Sequence, residues 1–235
     1  MRKIRTSSTR MPLTTEELEQ LTSDDFVRLK LTDDEIARLR EINKTRERLR
    51  VESVARIRVE ATPLLDELLQ AGLNIQSLGD LISRPNNYDH VIPILLKHLL
   101  MPYSDVIRST IARSLAVPEA KQVWSTLVAE YRKAPMGWGI KAPGDTKEFR
   151  LGAKDGLACA LSVAVTDATM EELIGIVKDR THGESRVLLL SALRKSKNPL
   201  AKQALEELAN DPDLAKEIAS WRKRGVRGNR YPADA

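Results

Sequence analysis

A short pattern that recurs in the second half of the chain constrains its fold more than any other feature. In it, a basic residue is followed by an apolar or small residue four and seven positions later. The pattern occurs three times: Arg108, Ala112, Leu115; Lys154, Ala158, Leu161; and Arg186, Leu190, Leu193. Steps of four and seven place side chains on one face of an α-helix. The sequence therefore predicts a repeated unit in which one helix carries this face.

The spacing of the pattern indicates one insertion. Lys154 and Arg186 are 32 residues apart, whereas Arg108 and Lys154 are 46 residues apart. The difference equals the length of segment 134–147, which contains two prolines and three glycines and has no helical periodicity. We therefore expect four helical hairpins and one inserted loop. The expected helix pairs are 89–101 with 104–117, 119–133 with 146–165, 167–180 with 184–197, and 200–211 with 213–224.

Composition and capping patterns favour helices in the rest of the chain. Its 11 glycines and 11 prolines in 235 residues are too few for a sheet of many short strands. Thr14 with Glu17, and Thr32 with Glu35, match the capping box that begins a helix. Thr62 before Pro63 matches a helix start, so we expect a break or a kink there. The predicted regions are a disordered basic tail (1–13), a helical extension (14–84), the repeats (85–225) and a basic tail (226–235).

The stretch from about Asp89 to Arg224 resembles bacterial HEAT repeats, including those of phycobilin lyase relatives. The residues that carry the resemblance are Ser104-Asp105-Val106-Ile107-Arg108, and the string from Gly156-Leu157-Ala158 through Asp179-Arg180-Thr181-His182-Gly183 to Leu193. The resemblance implies an all-α fold: a short, right-handed HEAT-like α-solenoid of about four hairpins, preceded by the helical extension. Proteins that resemble it serve mostly as scaffolds, adaptors and binding partners.

The residue inventory gives no positive case for catalysis. The sequence lacks a phosphate-binding glycine loop, a nucleophile elbow and a His-x-x-x-His pair. His90 and His98 are about 12 Å apart along a helix, so we expect a cap-region and a surface histidine. Cys159 is expected to be a small core residue. We therefore expect no catalytic residue, no metal and no cofactor and, without a long apolar run, a cytoplasmic protein that does not engage a membrane.

Candidate binding residues lie on the second helix of each hairpin and in the insertion. The second helices carry an excess of basic residues, so we expect a positive concave face. The candidates are Arg113, Arg150, Lys154, Arg186, Arg194 and Trp138. Two alternatives stay open: the repeated basic residues can instead pair with a neighbouring acid or carbonyl, and Trp138 can instead fold back to close a gap in the stack.

The sequence favours a non-enzymatic scaffold that binds a protein partner, most simply an acidic one, on this basic face. Nucleic-acid binding is the alternative, because the net charge is +5, the pI is about 9.3, and Trp221 to Arg224 with Arg227 and Arg230 form a basic terminus. Some HEAT-like proteins of this length are alkylpurine DNA glycosylases. That reading ranks last, because tryptophans at 124, 138 and 221 do not suggest one aromatic cleft.

Overall fold

The computed structural model describes residues 11–83 and 89–228, and within them the protein is all-α. The α-helices are α1 Thr15–Gln20, α2 Ser23–Arg28, α3 Asp33–Gln70, α4 Asp80–Ser83, α5 Ile92–Leu99, α6 Asp105–Ser114, α7 Trp124–Lys133, α8 Ala153–Ala164, α9 Met170–Lys178, α10 Arg186–Lys195, α11 Pro199–Leu208 and α12 Ala215–Gly228. Short 3₁₀ segments are Asp89–Val91, Pro118–Val123, Asp167–Thr169 and Arg180–Ser185. Two strands, β1 Trp138–Gly139 and β2 Phe149–Arg150, form an antiparallel ribbon. Within the described residues this two-stranded ribbon is the only sheet, as expected for an all-α fold.

The chain divides into two compact units at Ala55/Arg56. The first contains α1, α2 and the N-terminal part of α3. Both predicted capping boxes form there: the Glu17 carboxylate accepts from the Thr14 N–H (2.8 Å), and the Glu35 carboxylate accepts from the Thr32 N–H (2.8 Å). Glu35 is fully buried, and its second oxygen accepts from the Leu13 N–H (2.8 Å). The two caps therefore fix where α1 and α3 begin.

Helix α3 differs from one expectation. It continues through Pro63, so the alternative of a break there is wrong. Ala61 and Leu64, on either side of the proline, are buried in the core, so packing outweighs the hydrogen bond that proline cannot donate. The second compact unit begins at Arg56, because this end of α3 shares one core with the later helices. The exposed middle of α3, including Leu49 and Val54, belongs to the first unit.

The second unit is organised around the helices that carry the repeated pattern. Helix α6 packs on α8, and α8 packs on α10, while α7 and α11 flank α8 and α10 respectively. All six positions at plus four and plus seven of the pattern are buried. They are Ala112, Leu115, Ala158, Leu161, Leu190 and Leu193. The predicted apolar face is thus the face by which these helices enter the core.

The predicted second helix of the second pair, 146–165, begins late in the structure. It starts at Ala153, and Phe149 and Arg150 before it are strand residues paired with Gly139 and Trp138. The cause is a cap supplied by α6. The Asp105 carboxylate accepts from the N–H groups of Gly152 (2.7 Å) and Ala153 (2.9 Å), which fixes the start of α8 there. The inserted loop is therefore longer than 134–147 and contains a ribbon.

The predicted tails fall almost wholly outside the described residues, since residues 1–10 and 229–235 are not among them. In the described parts, 11–83 and 89–228, no helix is both long enough and apolar enough to cross a bilayer.

Candidate binding groove and ribbon

The basic residues that mark the repeat point into the protein. Arg108 donates to the Glu130 carboxylate (3.0 Å). The Lys154 ammonium donates to the Ala134 carbonyl oxygen (3.3 Å) and lies 4.8 Å from the centre of the Tyr131 ring. Because Lys154 is buried, its pKa lies below the ordinary lysine value. These contacts correspond to the structural alternative stated above.

Arg186 is the most completely internal member of the series. Its side chain is 0% exposed and donates to the carbonyl oxygens of Gly183 (3.1 Å) and Val177 (3.1 Å). It also donates to Asp211 (3.1 and 3.3 Å) and Asp213 (2.6 Å). Lys154 and Arg186, two of the six candidates, are therefore buried rather than exposed on a concave face. Arg186 thus joins α10 to the end of α9 at Val177 and to the segment that precedes α12.

A groove of about 780 Å³ lies between α8, α10 and α12. Its lining residues share the outward faces of these helices: Cys159, Ser162, Val187, Leu188, Ser191, Arg194, Lys195, Glu217 and Trp221. Val187, Leu188 and Trp221 are partly buried and pack against the core. Their packing holds them in place while part of their apolar surface lines the groove. A preformed concave surface of this kind is the usual setting for a binding site.

Cations dominate the open charges of the groove. The Arg194 guanidinium lies 4.9 Å from the Trp221 ring centre, and the exposed Lys195 follows it on α10. The exposed Arg113 on α6 reaches the Cys159 sulfur at 3.9 Å. Glu217 is engaged, because its carboxylate accepts from the Trp221 indole N–H (2.7 Å). Two of the six predicted residues, Arg113 and Arg194, therefore lie at or beside one groove.

Cys159 differs from its expected place in the core. It is half-buried and lines the groove, because the face of α8 at this level is covered only in part. Burial raises the pKa of its thiol, and the nearby Arg113 only partly opposes this effect. The thiol is therefore protonated near neutral pH and serves as a small apolar wall.

The two remaining candidates, Arg150 and Trp138, are opposite each other on the ribbon. Arg150 bonds to Glu184 (2.8 Å) and lies 4.0 Å from Asp155. Trp138 is 71% exposed, so it does not fold back to close a gap. Both residues line a second pocket of about 320 Å³, here called the ribbon pocket, with Met136, Leu151 and Lys154 among its other walls.

The base of the inserted loop is held by three hydrogen bonds, one from α3 and two from α6. The Pro143 carbonyl accepts from Arg56 (2.7 Å) on α3, and the Lys141 carbonyl accepts from the Val106 N–H (3.0 Å). The Gly152 carbonyl accepts from the Ser109 hydroxyl (3.0 Å). Gly144 has a φ of +76°, and a Cβ there would lie 2.7 Å from the Arg56 side chain. The loop thus presents Trp138 from a braced base.

His98 and Trp124 have structural partners. His98 is buried rather than on the surface, because it bridges Glu67 (2.9 Å) and the Tyr103 hydroxyl (2.8 Å). Trp124 is buried, and its indole N–H donates to the Glu172 carboxylate (2.7 Å). Trp124, Trp138 and Trp221 thus do not line one cleft. Among the described residues, no group of three or more His, Cys, Asp or Glu side chains is placed to hold a metal ion.

Sequence reasoning missed the contribution of Trp221 and the ribbon pocket. Trp221 was interpreted only as part of a basic terminus, although an aromatic residue after Ile218 on an amphipathic helix was the available signal. The ribbon had no comparable signal, because it depends on contacts from α3 and α6 that are distant in sequence. Searches of protein-family models, curated proteins and solved structures found no match to this chain.

Proposed function

We propose that this chain is a HEAT-like α-solenoid that acts as a non-enzymatic scaffold and binds an acidic segment of a protein partner in the groove between α8, α10 and α12. The fold assignment is supported by the order of packing, α6 on α8 and α8 on α10, and by the burial of the repeated apolar positions. In this arrangement each hairpin completes the core of its neighbour.

The observation that carries the function is the pairing of apolar walls with open cations in one groove. Val187, Leu188 and Trp221 offer apolar contact, and Arg194 and Lys195 border them. Trp and Arg are the side chains that most often dominate binding energy when a partner covers them. An acidic segment with apolar residues satisfies both features, whereas a purely polar polyanion would leave the apolar walls unused.

Capture of partners from a nuclease-treated lysate tests the proposal, with the full chain as bait. The groove variant Arg194→Glu with Lys195→Glu reverses two exposed charges at the groove. The matched control, Lys121→Glu with Lys202→Glu, reverses two exposed charges elsewhere on the unit. We expect the wild type and the control to retain a protein that the groove variant loses. The proposal fails if capture requires intact nucleic acid, or if both double variants bind equally well.

A further inference from the structure

The groove and the ribbon pocket follow one another along the same two helices. On α8, Asp155 lines the ribbon pocket, while Cys159 and Ser162 line the groove. Steps of four and seven place these three residues on one helix face. On the α10 side, Ser185 lines the ribbon pocket and Ser191 lines the groove. The two pockets are therefore neighbours along α8 and α10, and together they are called the channel below.

From this adjacency we infer that the partner segment is linear and carries two apolar anchors, one for the groove and one for the ribbon pocket, with acidic residues between them. This inference rests on the proposed function, because it describes the ligand of the same face. Each pocket has one tryptophan in its wall, Trp221 in the groove and Trp138 in the ribbon pocket.

Helix geometry sets the distance between the anchors. Asp155 and Ser162 are seven residues apart, which is about 10 Å along a helix axis. An extended partner covers about 10 Å in roughly three residues, and a helical partner covers it in about seven. The apolar anchors of the segment are therefore expected at one constant spacing, of about three or about seven residues according to its conformation.

The charges of the channel assign different roles to its two ends. In the ribbon pocket Arg150 and Lys154 are balanced by Asp155 and Glu184, so that end offers mainly apolar contact from Met136, Trp138 and Leu151. Arg113, beside Cys159, is near the middle, and Arg194 and Lys195 border the groove. Attraction for acidic residues is therefore strongest at the groove and along the middle of the channel.

The ribbon is suited to this role because its apolar surface is exposed while its base is fixed. Trp138 is 71% exposed and Met136 is 46% exposed. Burying such large apolar side chains against a partner is favourable, because it removes apolar surface from water. The bonds from Arg56, Ser109 and Val106 hold the loop base before any partner arrives. Little ordering of this loop is then needed on binding, which favours affinity.

The test selects ligands for the full chain from a displayed library of random peptides. We expect enriched peptides to be acidic and to share two apolar positions at one constant spacing. Trp138→Ala is expected to lower the affinity for a synthetic copy of an enriched peptide by about tenfold or more. Ile140→Ala is the matched control, because Ile140 is 57% exposed on the same loop but lines neither pocket. Replacing the peptide anchor for the ribbon pocket by alanine should abolish the difference in affinity between wild type and the Trp138→Ala variant.

The outcomes separate the inference from the function on which it rests. Peptides with one apolar anchor, weakened by the groove variant but not by Trp138→Ala, would overturn the two-anchor inference and leave the proposed function standing. Peptides without acidic residues, or no enrichment over a blank surface, would overturn both.

Discussion

The contact between α6 and α8 can be tested with two glycines that differ in their surroundings. Gly156 lies on α8 where a Cβ would be 2.6 Å from the Ser109 carbonyl oxygen of α6 and 3.0 Å from the Ala112 Cβ. Gly175 lies inside α9, where a Cβ would meet nothing within 4 Å. Gly156→Ala and Gly175→Ala make the same chemical change in helices. The difference between the variants therefore isolates the effect of the close helix approach.

The expected magnitudes follow from these distances. Alanine favours a helix over glycine by about 1 kcal/mol, so Gly175→Ala should stabilise the protein by up to that amount. In Gly156→Ala the backbone oxygen must withdraw by at least about 0.4 Å to reach 3.0 Å, and overpacking of this kind costs about 1–3 kcal/mol. The two variants should then differ by about 1–3 kcal/mol in their free energy of unfolding.

Urea unfolding followed by far-ultraviolet circular dichroism measures this difference. With a dependence of about 1–3 kcal/mol per molar urea, the two midpoints should be separated by roughly 1 M. Equal midpoints for the two variants would show that α6 and α8 do not approach as closely as described, and the position of Arg113 beside Cys159 would lose its support.

Three further predictions concern charge. Arg186→Met should destabilise the protein by about 3–5 kcal/mol in urea unfolding, because it leaves the buried Asp211 with only the exposed Arg180 as a cation (3.3 Å) and removes the donor to the Val177 carbonyl. The exposed Arg113→Met should change stability by less than about 0.5 kcal/mol, and equal effects would contradict the assignment of Arg186 as internal. The hydrogen bond from Arg186 lowers the pKa of Asp211 below its ordinary 3.8, so this bond stabilises the fold fully above that value and the stabilisation is lost as the pH falls through the lowered pKa. Asp211→Asn should therefore unfold with a weaker pH dependence than wild type below about pH 4, and parallel profiles would refute the linkage. Binding of the captured partner should weaken as salt is added. A plot of the logarithm of the binding constant against the logarithm of the salt concentration has a slope of roughly −0.9 for each DNA phosphate that a protein neutralises, so several contacts give a steep slope. We expect a shallower slope for an acidic protein, and a steep slope would indicate a nucleic acid.

The repeated helices could be predicted from sequence because their signal is local. The positions four and seven residues after Arg108, Lys154 and Arg186 are buried, as the helical periodicity of the apolar residues predicts. The capping boxes at Thr14 and Thr32 are equally local, since donor and acceptor are three residues apart. Each of these features is decided within about two helical turns, so no knowledge of the remaining chain was needed.

The site was predicted only in part because burial of a cation depends on distant residues. Arg186 and Arg194 are both basic residues on α10, yet the first is 0% exposed and the second borders the groove. They are eight positions apart, and what separates their roles is Asp211 and Asp213, 25 and 27 residues beyond Arg186. A count of basic residues per helix includes both and cannot distinguish them.

The start of α8 shows how the same long-range dependence shapes the candidate site. Asp105 belongs to the first repeat, but its carboxylate caps the helix of the second at Gly152 and Ala153. Because the cap ends the preceding loop at that point, Phe149 and Arg150 remain outside the helix and pair with Gly139 and Trp138. The Asp105 carboxylate on α6 therefore determines where α8 begins. It also determines the place of Arg150, which was predicted to be helical but is paired with Trp138 on the ribbon and lines the ribbon pocket.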